Sequence, residues 1–234
     1  MSEPLLHDLR ATTVTPHPTE ALSLTQLGGG DLRSRYDEYV SKRGDEFGLF
    51  QQVARFAIVE RALYPGSYVH LTPSVVFDDV VYVDTDPKAK RFFREIDAVR
   101  ALVSDLRGSP QPVSIAFHGT DYAQVPEQAA SFDLLISLYA GFVSEACGWL
   151  LRPGGLLLAN DSHGDASMAA LDPRFELAGA FTRRDRLRTE ELDTYLQPRS
   201  GRSTTVEELR RTGRGVAVTR DVKAYLFRRR PDDR

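Results

Sequence analysis

The chain predicts an α/β fold, an open and mostly parallel sheet with helices on both faces. Three observations carry that expectation. Strand-like and helix-like segments alternate through the middle of the sequence. The strand segments at residues 79–84 (DVVYVD), 132–138 (FDLLISL) and 154–160 (GGLLLAN) are apolar almost throughout, as strands covered on both faces are. Turn signals such as Pro65-Gly66 and Pro153-Gly154 punctuate the alternation.

In chain order, residues 1–30 read as a flexible N-terminal arm. Pro16 and Pro18 flank His17, and Gly28-Gly29-Gly30 closes the stretch with permissive backbone. Residues 31–230 make one domain, helical in pattern from Asp31. Asp45 is the expected N-cap of a helix in which Phe47, Phe50, Val53, Ala54, Ala57 and Ile58 recur at spacings of three and four. Residues 61–64 form a short strand. Thr72 as N-cap and Pro73 as first residue fit a cramped helix before the strand at 79–84. Asp86-Pro87 starts the next helix. Its face is marked by Ala89, Phe92, Phe93, Ile96, Val99, Leu102, Val103 and Leu106, and Gly108 ends it. Residues 112–117 are a strand. A helix over 142–151 joins the strands at 132–138 and 154–160. Residues 175–181 and 221–228 are strand-like, with short helices expected near 190–196 and 205–211. Thr205 and Glu208 have capping-box spacing. A hairpin linking 215–219 to 222–227 is expected. Trp149 and Cys147 read as core.

Composition bounds the function. At 234 residues and 41% hydrophobic, the chain supplies one substantial core and excludes general disorder. No apolar run approaches the ~20 residues that span a bilayer. The start lacks the basic-then-apolar pattern of a secretion signal. One cysteine and no Cys/His cluster give no disulfide or metal expectation, and a reducing cytoplasm is the expected setting. The net charge of −3 conceals a split. Residues 182–230 hold 14 Lys/Arg and 7 Asp/Glu, and the rest of the chain carries −10. Residues 182–220 read as a basic insertion between the last strands, either a solvated face or a site for an anion. Arg183, Arg184, Arg186 and Arg188 suit a carboxylate or phosphate. A pI near 6.0 and the lack of interleaved aromatics argue against nucleic acid.

The block at 131–160, with Phe132-Asp133 opening a strand and Leu151-Arg152-Pro153-Gly154-Gly155 leading into the next, resembles class I S-adenosylmethionine-dependent methyltransferases. The resemblance covers roughly residues 47–227. It implies a Rossmann-like sheet with an antiparallel last strand, and S-adenosylmethionine as cofactor. It makes Asp84 the acceptor for ribose hydroxyls, with Thr85 beside it, Asp121 the partner of the adenine amino group, Tyr122 a neighbour of the ring, and Ser137 a further cofactor contact. The first loop, residues 62–70, departs from the family's acidic, glycine-rich form. Only Gly66 matches a glycine position, and Tyr64 stands where an acid is usual. Gly66, Ser67, Tyr64 and Tyr68 are the cofactor-contacting candidates there. The two tyrosines either offer hydroxyls and ring faces to the ligand or fill its pocket.

For chemistry, His163 after the fifth strand is the candidate base, with Asp161 to orient it. Tyr139 after the fourth strand is the candidate substrate-facing residue. His118 after the third strand is a further candidate, also readable as a loop residue, and His70 in the first loop is a candidate to face the cofactor tail or a carboxylate. The expected activity is methyl transfer to a small, anionic molecule by a chain able to form a homodimer. The alternatives are an inactive binding module, or an enzyme using S-adenosylmethionine for a non-methylating reaction.

Overall fold

The computed structural model describes residues 29–109, 111–220 and 222–231. Eight strands form one sheet in the order β3-β2-β1-β4-β5-β8-β6-β7. These are β1 (Ala62–Pro65), β2 (Asp79–Val83), β3 (Ser114–His118), β4 (Phe132–Ser137), β5 (Leu151–Ala159), β6 (Phe175–Phe181), β7 (Leu187–Arg188) and β8 (Ala224–Arg229). The first five pair in parallel. β8 runs antiparallel between β5 and β6, and β7 pairs antiparallel at the edge.

Alternation along each strand sends successive side chains to opposite faces. Ala62, Tyr64, Val80, Tyr82, Leu134, Ile136, Leu156, Leu158, Ala224 and Leu226 join one buried cluster. Leu63, Val81, Val83, Leu135, Leu157, Ala159, Tyr225 and Phe227 join the other. The first face is covered by α1 (Gly29–Arg43), α2 (Phe47–Phe56), α3 (Thr72–Val76), α4 (Pro87–Phe93) and α5 (Ile96–Arg107). The second is covered by α6 (Val143–Cys147) and α7 (Asp165–Leu171), with α8 (Val206–Thr212) against α7. Two buried faces explain why the strands are apolar throughout.

Several local expectations need correction. α1 begins at Gly29, so the last two glycines of the expected arm are helical; residues 1–28 lie outside the described residues. Glu46, not Asp45, is the N-cap of α2, although the Asp45 carboxylate accepts from the Phe47 amide at 3.0 Å. That helix stops at Phe56, which leaves Ile58 exposed. Thr72 lies inside α3, after Leu71. The single helix expected up to Gly108 is two helices. Glu95 leaves helical geometry between them, and the bend lets Phe93 stack on Phe117 at 4.5 Å while Val99 and Leu102 stay buried. The helix expected over 142–151 is α6 followed by a 3₁₀ turn, and a Cβ at Gly148 would meet the Phe175 ring at 3.1 Å. β5 starts before Pro153-Gly154-Gly155 and carries that segment as an irregularity opposite Asp133. Residues 190–196 hold only a 3₁₀ turn, Leu192–Tyr195. Among the described residues the expected hairpin at 215–227 is not formed: Val218 bridges to Pro198, and β8 pairs with β5 and β6. Trp149 is partly exposed, its indole N–H donating to the Ala146 carbonyl. Asp86 and Thr205 cap α4 and α8 as expected.

Candidate functional site

In an open parallel sheet, ligands bind beyond the carboxyl ends of the strands, where strand order reverses. Here β1 lies between β2 and β4, so the switch point falls between Gly66 and the segment after β4. A cleft of about 560 Å³ opens there. Its walls are Arg35, Glu38, Tyr39, Lys42 and Arg43 of α1, Gly66, Tyr68 and Val69 after β1, Lys88 and Arg91 of α4, and Leu138 and Tyr139 after β4.

The loop after β1 is tightly held. Gly66 has φ +66°, and a Cβ there would meet the Ala140 Cβ at 2.7 Å, so the two loops touch across the switch point. Tyr68 has φ +48°, and its amide donates to Asp84 Oδ2 at 2.7 Å. Asp84 Oδ1 accepts from the Asp86 amide at 2.8 Å. Each oxygen keeps a second lone pair. Ser67 is buried and its hydroxyl has no partner among the described residues. Thr85 is exposed beside Asp84.

Tyr64 does not reach the cleft. It is 1% exposed, and its hydroxyl donates to His70 Nδ1 at 3.1 Å. His70 Nε2–H donates to the Asp45 carbonyl at 2.9 Å, which fixes the tautomer. Burial pushes the imidazole pKa down to about 4, against the opposing pull of Asp45. Both residues are core links between β1 and the start of α2, so neither the expected contact of Tyr64 nor a ligand-facing role for His70 is met.

Tyr139 is on the cleft rim, in a left-handed conformation of φ +60°. The side-chain carbonyl of Asn160 accepts from its amide at 3.2 Å. Its hydroxyl donates to Glu46 Oε1 at 3.4 Å, and the Arg43 guanidinium lies 5.5 Å from its ring centroid. Burial raises the hydroxyl pKa, and Glu46 adds to the shift. Glu46 is ion-paired with Lys223, which also binds Asp185 at 2.7 Å. Burial works against the Lys223 ammonium, yet Asp185 and Glu46 outweigh it and raise its pKa.

The other expected residues lie elsewhere. Asp161 does not orient His163. Its carboxylate accepts from the Ser167 amide and hydroxyl, at 2.8 and 2.7 Å, and from the Val216 amide at 2.9 Å. It therefore anchors α7 and the segment after α8, and burial raises its pKa. His163 is exposed, bonded to the Ser162 hydroxyl at 3.0 Å, and does not line the cleft. The Ser137 hydroxyl is engaged below the rim. It donates to Asp165, which also accepts from the Ser144 amide at 3.1 Å and hydroxyl at 2.5 Å. Asp165 has its pKa raised to about 6 by burial, with the serines opposing. Asp121 is exposed and accepts from the Ala123 amide at 2.8 Å, capping a 3₁₀ turn. The Tyr122 hydroxyl lies close to Gly141 in the segment after β4, outside the cleft lining. His118 is paired with Glu127 at 2.9 Å. The expected arginines at 183, 184, 186 and 188 belong to the β6–β7 turn and β7, outside the cleft lining. Cys147 is buried and its thiol is pushed up to about 12 by burial, which suits packing.

The cleft thus unites three expected residues, Gly66, Tyr68 and Tyr139, with cations of α1 and α4 that the sequence reading does not name as site residues. A signal for α1 exists in the sequence. Leu32, Tyr36, Tyr39 and Val40 recur at helical spacing, with Arg35 and Arg43 one turn from Tyr39 on either side.

Reversed β8 inserted beside a five-stranded parallel half, with helices on both faces, is the architecture implied by the resemblance. This is the class I methyltransferase fold. No protein-family model matches the chain, and no curated protein matches its sequence. Solved structures of similar shape include a protein from Corynebacterium glutamicum, with 11% identity over 87% of this chain and 91% of that one, TM-score 0.49. A methyltransferase from Geobacter sulfurreducens has 12% identity over 86% and 90%, TM-score 0.48. The N-methyltransferase NodS from Bradyrhizobium japonicum, in complex with S-adenosyl-L-homocysteine, has 17% identity over 62% and 74%, TM-score 0.38. The sheet order of the chain itself, rather than these distant likenesses, decides its fold. Among the described residues no helix is long and apolar enough to cross a membrane, and no group of three or more His, Cys, Asp or Glu is placed to hold a metal.

Proposed function

We propose that the chain is an S-adenosylmethionine-dependent methyltransferase acting on a small anionic molecule. The observation that carries this reading is the cation-walled cleft at the β1–β4 switch point of a methyltransferase fold. The residues at the rim fit an adenosyl ligand. Asp84 has acceptor capacity left on both oxygens, and Ser67 has an unpartnered buried hydroxyl. Gly66, Tyr68 and Thr85 flank them, and Asp121 and Tyr122 stand at the end of β3 for the adenine end. When bound, the cofactor supplies an electrophilic methyl group.

The chain's own contribution is positioning. The cations of α1 and α4 bind and orient the anionic end of the substrate. Tyr139, fixed by Asn160 and Glu46, keeps its hydroxyl oxygen available as an acceptor at the rim. No base is assigned, because His163 lies outside the cleft lining. Isothermal titration with S-adenosylmethionine and S-adenosylhomocysteine tests the reading, and binding of neither overturns it.

The close approach of Gly66 to Ala140 favours a second reading, a binding module that has lost catalysis. The two separate in a turnover assay. Cofactor binding without conversion of any anionic acceptor supports the module.

A further inference from the structure

We propose that the cleft between α1 and α4 is a phosphate subsite, and that the substrate is a phosphorylated small molecule. The proposal rests on reading this cleft as the substrate end of the site.

Five cations line the cleft against a single carboxylate, Glu38. Two of them have local partners within α1, since Arg35 pairs with Asp31 at 2.8 Å and Lys42 with Glu38 at 2.5 Å. Arg43 faces the Tyr139 ring. Lys88 and Arg91 of α4 have no carboxylate within ion-pair distance among the described residues, although Lys88 is near enough to Glu38 to add to the lowering of its pKa by Lys42. Like charges facing one another across a cleft repel, and an anion between them relieves the repulsion.

The charge count selects the anion. A carboxylate offsets one unit. A phosphate monoester carries about −1.5 to −2 and has three strong acceptor oxygens, enough to take donors from both walls at once. The Arg91 guanidinium adds a planar fork matched to phosphate geometry. Beside the cations, the Tyr39 ring, 5.8 Å from that of Tyr68, gives the organic part an aromatic flank. The cleft volume is within the roughly 300–1,000 Å³ usual for small-ligand sites. The anion site therefore belongs to α1 and α4, rather than to the arginines at 183–188.

The test uses the full chain and titration calorimetry at low salt with phenyl phosphate, inorganic phosphate, benzoate and S-adenosylhomocysteine. Phenyl phosphate is expected to bind at least about tenfold more tightly than benzoate. The double variant K88Q/R91Q, both positions exposed, is expected to lose about tenfold or more of that affinity. R184Q/R186Q is expected to keep it, and S-adenosylhomocysteine should bind all three proteins alike. Equal binding of benzoate, or undiminished phenyl phosphate binding by K88Q/R91Q, overturns the proposal. A matching loss of S-adenosylhomocysteine affinity in K88Q/R91Q also overturns it, since the cations would then serve the cofactor. Inorganic phosphate binding as tightly as phenyl phosphate overturns the claim of an organic ester. If phenyl phosphate binds as expected and S-adenosylhomocysteine does not bind at all, the methyl-transfer reading fails and the phosphate subsite stands.

Discussion

Gly66→Ala tests the close contact at the switch point. Two costs add. Gly66 has φ +66°, and an L side chain in that region costs about 1–2 kcal/mol. The new Cβ would lie 2.7 Å from the Ala140 Cβ, well inside the ~3.5–4.0 Å optimum for carbon pairs. Overpacking of this kind costs typically about 1–3 kcal/mol. The sum is about 2–5 kcal/mol, or a fall in Tm of roughly 5–15 °C for a chain of this length. Ala140→Gly separates the two terms, because it removes the clashing atom and leaves the backbone strain. The double variant G66A/A140G should therefore be about 1–3 kcal/mol more stable than the two single effects predict together. Urea unfolding of the wild type, both single variants and the double variant measures this. Single effects that add within about 0.5 kcal/mol would refute the contact. A Tm for G66A equal to wild type would refute the strain as well.

Further expectations follow from buried charge. His70 has its pKa pushed down to about 4, so the folded state binds fewer protons than the unfolded chain below pH ~6.5. Its contribution of up to about 3 kcal/mol is present above that pH and is lost as pH falls toward 4; H70Q should flatten that part of a stability–pH curve. Asp165 acts with the opposite sign. Its folded pKa of about 6 exceeds the unfolded value, so its contribution is full below pH ~4 and is lost as pH rises through 6. D165N should remove that slope, and an unchanged slope would show that Asp165 is not the group responsible. Lys223→Met leaves Glu46 and Asp185 without their shared cation and should cost about 3 kcal/mol in denaturant unfolding, whereas no measurable loss would count against the network. D84N should weaken S-adenosylhomocysteine binding by about tenfold or more in calorimetry, and equal affinity would remove Asp84 from the cofactor site.

The elements that were legible in the sequence share a local cause. The strands at DVVYVD and FDLLISL are apolar because both sheet faces are covered, and that leaves a mark on each residue of the run. Asp86 and Pro87 announce α4 because capping needs only the next few residues. The break at Glu95 was not legible, since the apolar spacing runs straight through it and the bend answers to Phe117 on another strand.

The candidate site was less legible for the same reason. Gly66, Tyr68 and Tyr139 were found because they follow strands whose ends face the ligand side. Tyr64 and Ser137 also lie at strand ends, yet one hydroxyl turns to His70 and the other to Asp165. Asp161 and His163 are two residues apart and make no common bond; Asp161 is fixed instead by Ser167 and Val216. The open α/β sheet is readable from the chain alone, because burial on two faces is written into each strand as composition. Which polar groups face the cleft is settled by packing between distant elements. A polar side chain goes where its hydrogen-bond and charge partners are, and Lys88 and Arg91 meet the cations of α1 through packing between elements far apart in the chain.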